Sequence, residues 1–240
     1  MLKVMTLNLW CYFDWDNRKE NIASLIKDES PDIIGFQEAQ TNHAFSDFPQ
    51  SDLVADTTGY KYRVFAPTYK RDGQVDRDGG MTQETSYGLA LVSRYPIISV
   101  ETYFLRRHPD YDEETSVLFC KIDVGNTIID VCNVHFGNSE LFSDLHLNEL
   151  IDLCEERNVK PIIVGDFNNF DLGAYKQNRL KDYTLSTEVA KYESMPKNKG
   201  TLDYIVVPSS LYNIKTIACS EMYVSDHRAL IADIDFKFFK

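Results

Sequence analysis

The chain has 240 residues, of which 43% are apolar and 26% are charged, and its formal net charge at pH 7 is −12. This composition is typical of a folded globular protein and excludes a disordered tail or a fibre. The acidic balance argues against a protein that coats nucleic acid with a basic surface. It is compatible with an enzyme that reaches a phosphate through a bound cation.

The N-terminal part of the chain predicts a β-α-β unit. A strand is predicted over Leu2–Leu9, and a helix over Asp16–Asp28, where apolar residues recur at helical spacing. Pro31 ends the helix, and residues 32–38 predict a second strand. Such a unit implies neighbouring parallel strands in a sheet that is covered by the helix.

The remainder predicts one long loop, one helix and many short strands. Residues Pro67–Ser86 are polar, rich in Gly and Pro, and without periodicity, which predicts a loop with a functional role. The further strands are predicted at 86–93, 97–105, 115–124, 127–136, 160–166, 202–208, 214–220 and 227–236, and the helix at 143–157. About ten strands exceed one sheet of usual size. We therefore predict an α/β protein with one domain, residues 1–240, in which two sheets pack face to face under helices.

The cysteines and the chain start bear on location. The five cysteines form no CxxC pair and lie mostly in apolar runs, so we expect reduced, buried thiols. The first residues read as a strand and not as a leader peptide. No apolar run approaches the roughly 18 residues of a membrane span. We expect a cytoplasmic protein without integral membrane association, and its oligomeric state stays open.

Polar side chains lie at the ends of several predicted strands and at the starts of two others, the strands at 202–208 and 227–236. They are Asn8, Glu38, His135, Asp166, Asn168, Asp203, Asp226 and His227. Taken singly, an Asp or Asn after a strand is usually a turn former or a helix cap, and a lone histidine is usually a core residue. Glu38 lies among apolar residues, where a carboxylate needs a partner such as a cation. Ligands of open α/β sheets bind outside the carboxyl ends of strands, so the eight residues together predict an active site.

Seven motifs occur in order along the chain: TLNLW, PDIIGFQE, ALVSRYPI, NVHF, VGDFNN, TLDYIVV and SDHRAL. In this order they resemble the endonuclease/exonuclease/phosphatase superfamily of metal-dependent phosphoesterases, and they span essentially the whole chain. The resemblance implies a four-layer sandwich of two packed mixed β-sheets flanked by helices.

The resemblance also implies a metal site. Asn8 and Glu38 correspond to metal-site residues, and Asp226 is a nearby carboxylate that can serve as a second ligand. Such an all-oxygen set suits Mg²⁺ or Mn²⁺. Zinc is not favoured, because no pair of histidines has a spacing such as HExxH.

The catalytic roles implied by the resemblance fall on five residues. Asp166 orients or deprotonates the attacking water, and Asn168 donates to the phosphate oxygens. Asp203 and His227 form a carboxylate–histidine pair beside the phosphate. His135 corresponds to the second histidine of the branch that includes pancreatic deoxyribonuclease and the sphingomyelinases.

Two departures concern Trp10 and His135. Trp10 stands where the abasic-site endonuclease branch has an aspartate, and that branch has a tyrosine at the position of His135. Some members place a glutamate just before ALVSRYPI to support the second histidine. Here Tyr87 and Gly88 occupy that region, and Glu84 is the nearest carboxylate. The charge state of His135 therefore stays open.

We expect a Mg²⁺-dependent phosphoesterase that hydrolyses a phosphodiester by metal-assisted in-line attack of water. Nucleic acid, lipid-like esters and soluble metabolites all remain candidate substrates, and nucleic acid should bind weakly because the net charge is −12. One alternative is a phosphomonoesterase acting on inositol phosphates or nucleotides. Another is a catalytically idle binding module on the same fold, which the complete set of polar residues argues against.

Overall fold

Two six-stranded sheets form the centre of the computed structural model, which describes residues 1–43, 45–71, 85–111 and 113–237. The strands are β1 (Leu2–Asn8), β2 (Ile33–Asn42), β3 (Tyr62–Arg71), β4 (Thr85–Ser93), β5 (Ile97–Phe104), β6 (Ser116–Asp123), β7 (Ile128–His135), β8 (Ile162–Asp166), β9 (Tyr183–Leu185), β10 (Asp203–Pro208), β11 (Tyr212–Cys219) and β12 (Leu230–Phe236). The helices are α1 (Trp15–Glu29), α2 (Gln50–Thr58), α3 (Glu140–Glu156) and the single turn α4 (Ser186–Val189), with 3₁₀ turns at Leu172–Tyr175 and Pro196–Asn198.

Both sheets are mixed. The first has the strand order β11-β12-β1-β2-β4-β3, in which only β1 and β2 run parallel. The second has the order β5-β6-β7-β8-β10-β9, in which only β7 and β8 run parallel. The parallel pair β1 and β2 flanks α1 in the chain, which confirms the predicted β-α-β unit.

Three apolar clusters account for the layering. The central one joins side chains of both sheets, such as Val4, Leu91, Leu118 and Val164. A second cluster packs α1 and α2 on the outer face of the first sheet, and a third packs α3 on the outer face of the second. The order helix, sheet, sheet, helix confirms the predicted four-layer sandwich. Apolar burial on this scale is the main stabilising contribution to such a fold.

One buried amide joins the two sheets beside the end of β1. Asn133 on β7 donates from Nδ2 to the carbonyl oxygens of Phe36 (2.8 Å) and Ala90 (2.9 Å). Its Oδ1 accepts from Nε2 of Gln37 at 2.6 Å. Hydrogen bonds in a buried network of this kind are strengthened by the low local dielectric. The network therefore fixes how β2 and β4 lie against β7.

The predicted boundaries around β3, β4 and β12 are wrong. The stretch Pro67–Ser86 is not a loop throughout, because β3 continues to Arg71 and β4 begins at Thr85. Residues 72–84 of that stretch lie outside the described residues. The last strand begins at Leu230, so Asp226 and His227 belong to the loop before it.

Helix α2 was not predicted. Its sequence, QSDLVADTT, holds few apolar residues, and its buried positions include Gln50 and Ser51 as well as Val54 and Ala55. Polar residues inside a helix interface obscure the apolar periodicity on which the prediction depends. Among the helices of the described ranges, none is long and apolar enough to cross a membrane.

His146 on α3 provides a stability prediction. It is 3% exposed, and its Nδ1 accepts a hydrogen bond from the amide of Gly137 at 3.1 Å. Burial lowers the pKa of His146 to about 4, whereas an unfolded histidine titrates near 6.5. Stability from the neutral imidazole is thus complete above pH 6.5 and is lost as the pH falls towards 4. The wild type should lose about 2–3 kcal/mol over this range through His146 alone.

Urea denaturation at a series of pH values measures this loss. His146→Gln should remove it, and His43→Gln, at an exposed histidine, should keep the wild-type pH dependence. Parallel curves for wild type and His146→Gln between pH 6.5 and 4 would contradict the prediction.

Candidate active site

The end of β8 makes a sharp turn that depends on glycine. Gly165 has φ +147°, and a Cβ atom there would lie 2.0 Å from the carbonyl oxygen of Val134. Only glycine lets β8 come this close to β7 in that conformation. Beyond it, the amide of Asn168 donates to Oδ1 of Asp166 at 2.9 Å, and Asn168 has φ +48°. The turn thereby holds Oδ2 of Asp166 in a fixed direction.

Three polar side chains converge on Oδ2 of Asp166, which is 1% exposed. Nδ2 of Asn8 donates to it at 3.1 Å. Nε2 of His135 and Nε2 of His227 each lie 3.7 Å from it. Four segments that are distant in the sequence therefore meet at one carboxylate oxygen.

Asp203 and His227 form a buried ion pair. Asp203 on β10 lies opposite Asp166 on β8 in the antiparallel register of these strands. Its Oδ2 lies 2.8 Å from Nδ1 of His227. Burial alone would lower the pKa of His227, but the negative charges of Asp203, Asp166 and Asp226 raise it to about 10. His227 is therefore an imidazolium at neutral pH, with Nδ1 donating to Asp203 and Nε2 directed at Asp166.

Glu38 reaches the site through a β-bulge. The pairing of β2 with β4 shifts between Phe36 and Ala39, so that Gln37 and Glu38 face a single residue of β4. Glu38 has φ +52°, an uncommon conformation for this residue type. Bulges often redirect a side chain beside an active site. The prediction that the strand ends at Glu38 is wrong, since β2 continues to Asn42.

Asn8 links two of the carboxylates. Besides Asp166, its Nδ2 donates to Oε1 of Glu38 at 3.2 Å, and its Oδ1 accepts from the amide of Trp10 at 2.9 Å. In this arrangement the amide nitrogen, and not the oxygen, faces the carboxylates. The role of Asn8 as a metal ligand stays a prediction, and the contacts give it a second role in orienting Glu38 and Asp166.

The carboxylates of Glu38, Asp166 and Asp226 crowd negative charge into one region. Burial raises the pKa of Asp226, the imidazolium of His227 opposes the rise, and the charges of Glu38 and Asp166 add to it. A divalent cation relieves such repulsion, and oxygen donors are what Mg²⁺ and Mn²⁺ prefer. The residues present therefore fit the predicted metal.

A second donor set overlaps this one. Ligand atoms of Asp166, Asp203 and His227 lie within 4.8 Å of one another. Two of the three already bind each other at 2.8 Å, so a cation there would have to break the ion pair. Glu38 and Asp226 are accordingly the better candidates.

The partner of His135 is a tyrosine. The hydroxyl of Tyr87 lies 3.1 Å from Nδ1 of His135, and the Tyr87 ring stacks on Tyr69 with 4.7 Å between ring centroids. Burial raises the pKa of Tyr87, so the hydroxyl keeps its proton. Glu84, the carboxylate nearest in sequence, lies outside the described residues. In the sequence, Tyr87 stands out only as a departure from the family pattern, and its contact with His135 was not predicted.

Arg18 was also missed. This fully buried side chain donates hydrogen bonds to the carbonyl oxygens of Cys11 (3.2 Å), Phe13 (2.8 Å) and Val224 (2.7 Å). It thereby ties the loop after β1 to the loop that carries Asp226. In the sequence, Arg18 is one of several polar and charged residues at the start of a predicted helix. Such a position is typical of a side chain exposed to solvent.

Six of the eight predicted residues line one cavity of about 340 Å³. The other two lie behind its wall, where Asn8 is hydrogen-bonded to Asp166 and Asp203 to His227. Asn168 uses Nδ2 to donate to the carbonyl oxygen of Phe136 at 2.9 Å. An amide nitrogen carries two hydrogens, so one remains for a ligand.

The sequence profile of the Endonuclease/Exonuclease/phosphatase family matches residues 5–227. The chain belongs to this family. Members of the family are in general phosphoesterase hydrolases. A search of curated proteins found no match.

Solved structures of the same fold superpose on nearly the whole chain. An endonuclease/exonuclease/phosphatase from Beutenbergia cavernae is similar with a TM-score of 0.76 and 17% identity, over 98% of this chain and 71% of that one. The human Nocturnin catalytic domain with bound sulfate is similar with a TM-score of 0.72 and 19% identity, over 98% of this chain and 94% of that one. A mannosyl-6-phosphatase from Bacteroides thetaiotaomicron is similar with a TM-score of 0.66 and 17% identity, over 98% of this chain and 100% of that one. At such identities the likeness establishes the fold alone.

Proposed function

We propose that this family member hydrolyses phosphate esters with the help of Mg²⁺ or Mn²⁺, by in-line attack of water on phosphorus. The observation that carries the proposal is the position of Asp166 Oδ2, 3.7 Å from each of two histidine Nε2 atoms. A carboxylate that can take a proton thus lies beside two groups that can donate to a phosphate. This arrangement suits acid–base chemistry on a charged ester.

In this proposal, Glu38 and Asp226 would hold the cation, which when bound neutralises phosphate charge and polarises phosphorus. Asp166 accepts a hydrogen bond from the attacking water and takes its proton. His227, kept charged and oriented by Asp203, donates to a phosphate oxygen and stabilises the extra negative charge. The water oxygen forms a bond to phosphorus, and the ester P–O bond breaks with its electron pair going to the leaving oxygen. That oxygen takes a proton from solvent water, and Asp166 returns its proton to solvent.

Phosphodiesters are the first substrate class to test, and nucleic acid is expected to bind weakly to a chain of net charge −12. Phosphomonoesters are the second candidate. The small cavity and the likeness to a protein described as a mannosyl-6-phosphatase favour them.

A hydrolysis panel tests the proposal. It covers plasmid DNA, RNA, aryl mono- and diesters, sphingomyelin and inositol phosphates, each with Mg²⁺, with Mn²⁺ and with EDTA. We expect turnover of at least one class with a divalent metal and its loss with EDTA. Equal rates with metal and with EDTA would contradict the metal dependence, and no turnover of any class would favour an idle binding module.

Glu38→Gln tests the metal site. Removing one carboxylate ligand should lower the affinity for Mg²⁺ about tenfold or more, measured by calorimetry. Glu221→Gln, at an exposed carboxylate, is the matched control and should bind as the wild type does. Equal affinity in wild type and Glu38→Gln would remove Glu38 from the site.

Tyr87→Phe tests the support of His135. The change removes one hydrogen bond while keeping the ring that stacks on Tyr69, so kcat should fall about two- to tenfold. The imidazole signals of His135 in a ¹⁵N NMR spectrum should shift, because Nδ1 loses its partner. Unchanged kcat and unchanged signals would show that Tyr87 does not orient His135.

A further inference from the structure

The cavity extends past the catalytic residues on the side of His135. We call this part the tyrosine arm, and it is formed by Thr68, Tyr69, Tyr87, Tyr111, Glu113 and Ser116. Tyr87 connects the two parts, since its hydroxyl lies 3.1 Å from His135 and its ring stacks on Tyr69. The arm is therefore contiguous with the place where the proposed hydrolysis occurs.

The size of the cavity bounds its ligand. The whole cavity measures about 340 Å³, at the small end of the roughly 300–1,000 Å³ range of small-molecule sites. A phosphate group with one sugar-sized substituent belongs to this size class.

The tyrosine arm combines aromatic faces with hydrogen-bonding groups. Tyrosine offers an apolar ring face and a polar hydroxyl, which suits the C–H face of a sugar ring. The hydroxyls of Thr68 and Ser116 are buried and lie 2.7 Å apart. Oε2 of Glu113 lies 3.4 Å from the hydroxyl of Tyr111. Carboxylates form strong hydrogen bonds with the hydroxyl groups of a ligand.

The charges on the cavity wall restrict the leaving group further. Glu113 of the arm and the adjacent Glu114 add negative charge to that of Glu38, Asp166 and Asp226 at the catalytic end. A second phosphate on the substrate would meet like charges in the arm, where repulsion is costly. A quaternary ammonium group also suits aromatic and acidic walls. It donates no hydrogen bond to the carboxylates of Glu113 and Glu114, whereas the hydroxyl groups of a polyol do, which favours a polyol.

We propose that the tyrosine arm is the leaving-group subsite, and that it takes an uncharged sugar or polyol joined to a single phosphate. This rests on the proposed phosphoesterase function. In the reaction the water oxygen binds phosphorus and the bond from phosphorus to the sugar oxygen breaks. That oxygen keeps the electron pair of the broken bond and takes a proton from solvent water to become a hydroxyl, while Asp166 releases the proton of the attacking water; nothing is oxidised or reduced.

A paired substrate panel, assayed with Mg²⁺ or Mn²⁺, tests the subsite. Glucose 6-phosphate and glycerophosphoinositol represent the mono- and diesters of polyols. The corresponding aryl esters are p-nitrophenyl phosphate and bis(p-nitrophenyl) phosphate. Glucose 1,6-bisphosphate and phosphocholine probe a second phosphate and a cationic group. We expect the kcat/KM of a polyol ester to exceed those of both probes about tenfold or more.

The outcomes separate this proposal from the function beneath it. Turnover of an aryl ester with no preference for polyols, or a preference for phosphocholine or the bisphosphate, would overturn the subsite and leave the phosphoesterase function standing. No turnover of any ester with either metal would overturn both.

Two variants localise the effect. Tyr69→Ala should raise the KM for the preferred polyol ester about fivefold, because an aromatic packing surface is lost. Tyr103→Ala, at an exposed tyrosine on β5, is the matched control and should leave KM unchanged. Glu113→Gln, at an exposed position, should reduce the ratio between the kcat/KM of the preferred polyol ester and that of glucose 1,6-bisphosphate. This variant keeps the test available if Tyr69→Ala does not fold. Wild-type KM in Tyr69→Ala, or unchanged discrimination in Glu113→Gln, would contradict the subsite.

Discussion

Asp166→Asn should lower kcat by about a thousandfold or more. The amide that replaces the carboxylate cannot take a proton from water, and general-base catalysis contributes roughly 10²–10⁴-fold. The substitution also places an amide nitrogen near Nδ2 of Asn8, which donates to Asp166 at 3.1 Å in the wild type. Steady-state kinetics with the best substrate of the panel measure the loss.

The control for this variant is Asp182→Asn, at an exposed carboxylate, which should keep wild-type activity. Thermal melts should show that Asp166→Asn is folded under the assay conditions. A loss of less than tenfold in the folded variant would exclude Asp166 as the base and transfer the role to another group.

Asp203→Asn and His227→Ala should each lower kcat about a hundredfold or more. Their 2.8 Å contact is buried, and the carboxylate keeps the imidazole charged and oriented. Residues that act as a unit give non-additive losses. The double variant should therefore be little worse than the worse single variant.

Breaking a buried ion pair typically costs about 3–5 kcal/mol, so the kinetics must be compared at a temperature where all variants are folded. A double variant whose loss equals the product of the single losses would show that Asp203 and His227 act independently.

The elements that could be predicted are those with a local signal. The β-α-β unit followed from apolar spacing and Pro31, and the number of strands required two sheets. The polar residues at the ends of β7 and β8 could be expected to meet, because these parallel neighbours present their carboxyl ends at the same edge of one sheet. The ordered motifs added the long-range pairing of Asp203 with His227.

The features that were missed depend on contacts between distant segments. The bulge at Glu38 arises from pairing between β2 and β4, which no local pattern contains. The contact of Tyr87 with His135 spans 48 positions. The role of Arg18 depends on Val224, 206 positions away. Helix α2 carries polar residues on its buried face, so its periodicity is weak.

Hydrolysis in ¹⁸O-labelled water, followed by ³¹P NMR, tests the central claim most directly. We expect metal-dependent turnover by the wild type in which one ¹⁸O atom enters the phosphate-containing product and none enters the alcohol. Under the same conditions Asp166→Asn should form this product about a thousandfold more slowly. Label in the alcohol would show that the bond to carbon breaks, and full turnover by the folded Asp166→Asn variant would show that the water is activated elsewhere; either result would contradict the account.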